Sequence, residues 1–196
     1  PVPYGLTGRD IAMRMLQENG IDDVKVTQID GRLTDHYNPS THTVNLGREV
    51  YYGNSVAAAA VAAHECGHAV QHARAYSFLT LRSALVPFVS FASNWVQWIL
   101  LIGIFTIQVY PAIMFIGIIL FAATTLFSFI TLPVEINASQ RALAWLNQSG
   151  VTDATTHDQA QDALKWAAYT YVVAALGSLA TLVYYILIFM GGRRDN

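Results

Sequence analysis

The stretch AAHECGHAVQH carries His64, Glu65 and His68 in the spacing His-Glu-x-x-His. Residues four apart on a helix share a face. Both imidazoles can therefore turn toward one metal ion, about 2 Å from each nitrogen. Glu65 neighbours the first histidine and reaches a water on that ion. Zinc lowers the pKa of such a water toward neutrality, and a glutamate so placed takes its proton. Cys66 lies two residues from either histidine, on the far side of the helix, and reads as packing rather than as a ligand. Short patterns arise by chance, so the weight of this one depends on its surroundings.

A hydrolytic zinc site has three protein ligands and an open position for water. His72 stands four residues beyond His68, but a rise of about 1.5 Å per residue puts it about 12 Å along the axis from His64. The three cannot meet one ion on a straight helix. The longer metzincin pattern needs glycine and histidine where this chain has Gln71 and Arg74, which excludes that class. Glu135 is the better third ligand: it is the only acid between Arg82 and Asp153. Its alternative reading is an acid stabilised at a helix N-terminus, because Pro133 fits a helix start and Gly150 its end. Ser139, one turn further on, is placed to hold a ligand histidine by a hydrogen bond. Arg141 can pair with Glu135, bind a substrate carbonyl, or sit in solvent.

The elements that must position these groups are legible in outline. Thr7 caps a first helix with Ile11, Met15 and Leu16 at helical spacing and a stop at Gly20. VKVTQI and HTVNL alternate as strands, joined by the turn-rich DGRLTDHYNPST. Ser55 caps the long helix that bears the pentad, ending near Ala73. HTVNL leads into this helix and is expected to be an edge strand that aligns an extended peptide. Thr152 or Thr156 is the expected cap of the last helix.

Charged residues are 12% of the 196, about half the usual share, and they are unevenly spread. None occurs from Ser83 to Val134, nor from Trp166 to Gly192. The first run is long enough for two spans of about 20 residues, with Pro111 at the hinge and Trp95, Trp98 and Tyr110 as candidate interfacial aromatics. The second is a third span, followed by Arg193 and Arg194. A hairpin brings Glu135 back to the side that His64 and His68 occupy. A net charge of −2 without a basic stripe excludes nucleic acid as a partner. One cysteine excludes an internal disulfide and a cysteine-cluster metal site. The chain opens on Pro1 rather than Met, which we read as a processed or trimmed start.

GRLTDHYNP, VAAHECGHAVQH, LRSALVP, TLPVEINASQRAL and AAYTYV together resemble the bacterial YugP-type membrane zinc metallopeptidases, across nearly the whole chain. More distantly, the element order is similar to the HtpX-type and CAAX-prenyl membrane proteases. The resemblance implies a mainly α membrane protein with a zincin-like core around a small β-hairpin or sheet, a transmembrane hairpin and a C-terminal transmembrane helix. The charge and hydropathy pattern divides the chain at 1–82, 83–132, 133–160 and 161–192. The resemblance further implies one Zn²⁺ per chain and a bacterial cell-membrane location. It also implies an apolar helix ahead of the strands. Ser139 stands where the gluzincin Glu-x-x-x-Asp pattern has an aspartate, and Asn137 and Asn38 stand where the YugP-type family often has aspartates, which marks Asn137 as a further group beside the ligands.

The expected function is a zinc-dependent endopeptidase with His64, His68 and Glu135 as ligands and Glu65 as general base. His36, in the TDHYNP loop, is a candidate donor to the oxyanion, with Tyr37, Tyr169 and Arg141 as others. The alternative for His36 is a hydrogen bond that orders its loop. The partners are a peptide or protein substrate, the lipid bilayer and a regulatory membrane protein of unknown identity. Arg74, Arg82, Arg141 and Lys165 flank the catalytic side, so the positive-inside rule favours a cytoplasmic site. Two other functions compete. One is a structural zinc in a non-catalytic membrane protein. The other is an intramembrane site-2-type protease whose pentad helix crosses the bilayer.

Overall fold

The computed structural model describes residues 1–194. After a short turn at Pro3–Gly5 the order is α1 (Gly8–Glu18), β1 (Lys25–Ile29), β2 (His36–Asn38), β3 (Thr43–Gly47) and α2 (Arg48–Tyr51). Then come α3 (Val56–Ala73), α4 (Ser77–Thr106), α5 (Pro111–Gln148) and α6 (Ala154–Arg194). The chain forms two compact units. The first holds Pro1–Thr80 with Pro133–Tyr169, and the second holds Leu81–Leu132 with the chain from Thr170 onward.

In the first unit, α1 starts as its sequence predicts. The Thr7 hydroxyl accepts from the Asp10 amide while the Asp10 carboxylate accepts from the Thr7 amide. This reciprocal box satisfies two otherwise orphaned donors. Ser55 caps α3 in the same way, accepting from the Ala58 amide. The alanines of α3 supply a narrow apolar surface that packs with Ile11, Ala12, Met15 and Leu16 of α1 and with Val44 and Leu46 of β3. Ala142, Trp145 and Leu146 of α5 complete this core.

The sheet differs from the expected strand pair. A third strand, β2, forms within the turn-rich segment, and the order is β1-β3-β2. β1 runs parallel to β3, and β2 runs antiparallel to it. Two side chains explain why this segment is ordered. The Asp35 carboxylate accepts from the Gly47 amide at 2.7 Å. The Asn38 side-chain oxygen accepts from the Ser40 and Thr41 amides, which turns the chain back toward β3. The leading strand of the pentad helix is therefore central, with both of its edges paired. The expectation that HTVNL is a free edge does not hold.

Pro133 also departs from expectation: α5 runs unbroken through it. A helix end there would strip up to four carbonyls and four amides of intrahelical partners. Continuing through the proline forfeits one backbone donor and crowds the carbonyl four residues earlier, a smaller loss than a full helix end. The cap of α6 is Asp153, neither of the two expected threonines. Its carboxylate accepts from the Thr156 amide and its amide donates to the Thr156 hydroxyl, each at 2.8 Å. Aspartate's short acceptor suits this position better than a threonine already inside the first turn.

The second unit is built from apolar helix. α4, α5 and α6 each contain a stretch long and apolar enough to cross a membrane. Val96, Leu100, Met114 and Ile118 form its buried cluster, flanked by Phe121, Leu182 and Tyr185. Thr125 and Ser178 join α5 to α6 through a 2.6 Å hydroxyl contact. Trp98, Phe105, Val173 and Leu187 point outward, the exposure expected of residues that face lipid. The pentad helix α3 is not among the candidate spans of the described residues. It lies in the core of the first unit.

One contact in the first unit leaves no room. A Cβ on Gly67 would lie 2.5 Å from the Ala138 carbonyl oxygen and 3.1 Å from its Cα, so α3 and α5 touch backbone to backbone there. Gly177 in α6 has nothing within 4 Å of the same atom. Gly67→Ala should lower the thermal unfolding midpoint, with a cost of about 1–3 kcal/mol for overpacking. Gly177→Ala should be neutral or stabilising by about 0.5–1 kcal/mol. Unfolding of both variants in detergent checks this pair, and equal midpoints would show that the close approach is not required.

Candidate metal centre

Two helices build the site. α3 places His64 and His68 one turn apart with their rings edge to face, centroids 4.8 Å apart. α5 places Glu135 and Ser139 one turn apart opposite them. The His64 ring bridges that turn: Nε2 lies 2.8 Å from Glu135 Oε2, and Nδ1 lies 2.9 Å from Ser139 Oγ. His68 Nε2 lies 3.4 Å from the same Glu135 oxygen. One donor atom from each of His64, His68 and Glu135 falls within 4.8 Å of the others. Glu135 sits in the interior of α5, so the reading of it as an acid at a helix N-terminus loses its basis.

Two imidazole nitrogens and a carboxylate are a donor set that suits zinc, and both Nε2 atoms face the same carboxylate oxygen. The surrounding acids fit a cation too. Burial pushes the Glu65 carboxyl above the usual carboxylate range, and the charges of Glu135 and Asp35 add to the rise; His64 and His68 oppose it. Two acids beside two imidazoles make a negative, poorly solvated site, which a divalent ion would balance.

Cys66 packs on the opposite side of α3, its thiol 3.6 Å from the Ala12 carbonyl, and burial raises its pKa. It is neither ligand nor nucleophile in this arrangement. His72 turns to the sheet, where the Tyr37 hydroxyl meets its Nδ1 at 2.7 Å. Burial, with Asp23 nearby, raises the pKa of Tyr37 to about 12. The Arg141 Nε–H donates to Asn137 Oδ1 at 2.7 Å, and its guanidinium lies over the Tyr76 ring. Tyr169 stands on α6 beside Trp166.

His36 opens β2 and is held within the sheet. Its Nδ1 lies 2.8 Å from the Thr34 carbonyl, and its Nε2 lies 3.3 Å from the Asn45 side-chain nitrogen. A carbonyl only accepts and an amide nitrogen only donates. The neutral ring therefore carries its proton on Nδ1 and has none at Nε2 to give to an oxyanion.

Sequence reasoning passed over Gln71, which is fully buried and meets His68 Nδ1 at 2.9 Å. A glutamine three residues after the second histidine, on the same helical face, was the available signal. It also passed over Gly67, whose missing side chain lets α5 reach the histidines.

Residues 1–190 match a family model described as "Putative neutral zinc metallopeptidase". The chain is 43% identical over 192 residues to the "Putative membrane protease YugP" of Bacillus subtilis (strain 168), covering 98% of this chain and 84% of that protein. No solved structure matches the chain.

The raised pKa of Glu65 has a consequence for stability. A carboxyl whose folded pKa exceeds its unfolded value destabilises the fold where it is ionised. The penalty is complete above the folded pKa and absent below the unfolded value near ~4.3. Metal-stripped Glu65→Gln should therefore melt above wild type at neutral and alkaline pH. The gap should close as pH falls through the raised pKa toward that of an ordinary glutamate. Thermal unfolding across this range checks the sign; a variant less stable throughout would mean that favourable contacts hold the carboxylate.

Proposed function

We propose that this chain, which belongs to the neutral zinc metallopeptidase family, is a membrane-bound, zinc-dependent endopeptidase. One observation carries the reading: His64, His68 and Glu135 converge from two helices, with Glu65 adjacent to the first ligand. A zinc ion held by these three side chains would supply Lewis acidity, activating a water and polarising the scissile carbonyl.

The rest of the chemistry belongs to the protein. Ionised Glu65 takes a proton from the attacking water at its carboxylate and delivers it to the nitrogen of the leaving amine. Burial raises its proton affinity above that of an ordinary carboxylate, which suits a group that must accept and then release. Ser139 supports His64 through Nδ1, and Gln71 supports His68. With β3 paired on both sides, β2 is the edge strand that packs against α3 and is open to an extended peptide. His36, on that strand, can donate to an oxyanion only as the imidazolium. The site lies on the cytoplasmic side by the positive-inside reading of Arg74, Arg82, Arg141 and Lys165.

Cleavage of an unfolded protein by the purified, detergent-solubilised chain tests the assignment. Glu65→Gln should retain zinc at the wild-type ratio and lose roughly 10²–10⁴-fold in rate. Chelation should abolish wild-type cleavage, and added zinc should restore it. Equal cleavage by both proteins would remove Glu65 from the role of base. Zinc binding without cleavage by wild type would favour a structural ion.

A further inference from the structure

Two arginines line one small cleft in the first unit. The cleft lies between α1, α3 and α5 and has a volume of ≈ 220 Å³. Asn19, Arg74, Arg141, Trp145 and Gln148 supply its polar wall, and no acid lines it. Two like charges that share a cleft repel unless an anion stands between them. Among the described residues, neither Arg74 nor Arg141 pairs with a carboxylate. Glu18, which is bonded to the Trp145 wall, gives one oxygen to Arg14 Nε and the other to Trp145 Nε1.

The two guanidiniums are held to different degrees. Arg141 is half-buried and anchored at one edge: its Nε–H donates to Asn137 Oδ1 at 2.7 Å, and the group lies 5.9 Å from the centre of the Tyr76 ring. Its two terminal NH₂ groups have no acceptor among the described residues. Arg74 is exposed and makes one long contact, Nη2 to Asn19 Oδ1 at 3.4 Å. The side-chain amide of Gln148 is a further donor on the same wall. Guanidinium forks match the oxygens of a phosphate group, and each such bond is charge-assisted. The cleft is smaller than the ~300–1,000 Å³ of sites for drug-sized ligands, so it suits one charged group rather than an extended molecule.

Position along the chain narrows the source of that group. Arg74 stands three residues ahead of the candidate span that opens at Ser77. Arg141 follows Val134, where the charge-free run ends, by seven residues, about 10 Å along α5. The polar layer of a bilayer extends about 5–8 Å beyond the hydrocarbon, and the long arginine side chain covers the difference. By chain distance both arginines are within reach of the phosphates of a bilayer that these helices cross.

We propose that this cleft binds a phosphate group, supplied by the headgroup of an anionic phospholipid, with Arg74 and Arg141 as its charged donors. Arg141, anchored by Asn137, presents a preset fork, and Arg74, almost free of protein contacts, closes on the same group. Zwitterionic phosphatidylcholine is disfavoured, because its trimethylammonium would enter a cleft that already holds two cations. None of the lining residues is a proposed metal ligand, so the inference stands or falls separately from the peptidase reading.

Thermal unfolding of the full chain in detergent at low ionic strength tests this, because a ligand that binds the folded state raises the midpoint with its concentration. The additives are short-chain phosphatidylglycerol, short-chain phosphatidylcholine, inorganic phosphate, and chloride at matched ionic strength. The midpoint should rise with phosphatidylglycerol, and with inorganic phosphate at higher concentration, but not with the other two. Arg74→Gln and Arg141→Gln should each raise the concentration needed by about 5-fold. Arg74→Glu, which brings a carboxylate to Arg141, should abolish the rise. Arg32→Gln, outside the cleft, should leave it unchanged.

No rise with either phosphate compound would overturn the site, as would an equal rise in wild type and Arg74→Gln. A rise with inorganic phosphate that phosphatidylglycerol does not exceed would remove the lipid as the source. A merely structural role would lower the midpoint of the variants without phosphate and leave its concentration dependence intact, which would also overturn the site. Should Arg141→Gln fail to fold, the Arg74 variants decide, since Arg74 makes only the one long contact.

Discussion

The candidate site depends on two helix backbones meeting at Gly67 and Ala138. Any side chain at position 67 would stand where the Ala138 carbonyl lies. Because the helices touch there, one turn of α5 falls within reach of one turn of α3. The His64 ring can then touch Glu135 with one nitrogen and Ser139 with the other. The glycine between the histidines thus does as much for the geometry as the histidines themselves. The alanines and Cys66 around the rest of α3 serve the same end, since small side chains let α1 and the sheet close on the helix without moving it.

That packing creates an electrostatic problem. Glu65 and Glu135 are buried beside two imidazoles, with Asp35 contributing to the same field. Burying carboxylates is unfavourable unless positive charge or strong donors compensate. The His64 ring meets Glu135 directly, and burial raises the proton affinity of Glu65. A divalent cation would answer the same need at a single point. An affinity for a cation and a raised basicity of Glu65 would share one cause, the exclusion of water from a cluster of acids.

Several features were legible because they depend on near neighbours in the chain. The helical spacing of His64 and His68, the Thr7 and Ser55 caps and the uncharged runs of α4 to α6 follow from local chemistry. Errors fell where longer-range pairing decides. Pro133 looked like a helix start because proline favours first turns, but α5 is helical on both sides of it. HTVNL looked like an edge because its alternation says which face is buried and nothing about how many neighbours it has. β2 was hidden in a turn-rich segment because its order comes from Asp35 bonding to Gly47, a contact across twelve positions. At His36, hydrogen bonds to Thr34 and Asn45 match the reading of a residue that orders its segment.

Sequence alone determined the chemistry available: two histidines on one helical face, a glutamate beside them, one further acid placed after a charge-free stretch, and helices able to cross a membrane. Each of these follows from residue type and local periodicity. Only the tertiary structure decided which atoms meet. Gln71, Asn137 and Arg141 form a connected chain because α3 and α5 lie in contact, and no spacing along the sequence encodes that contact. The contacts of His64 with Glu135 and Ser139, and of Gln71 with Val134, join positions more than sixty residues apart, so they became readable only once the helices were packed.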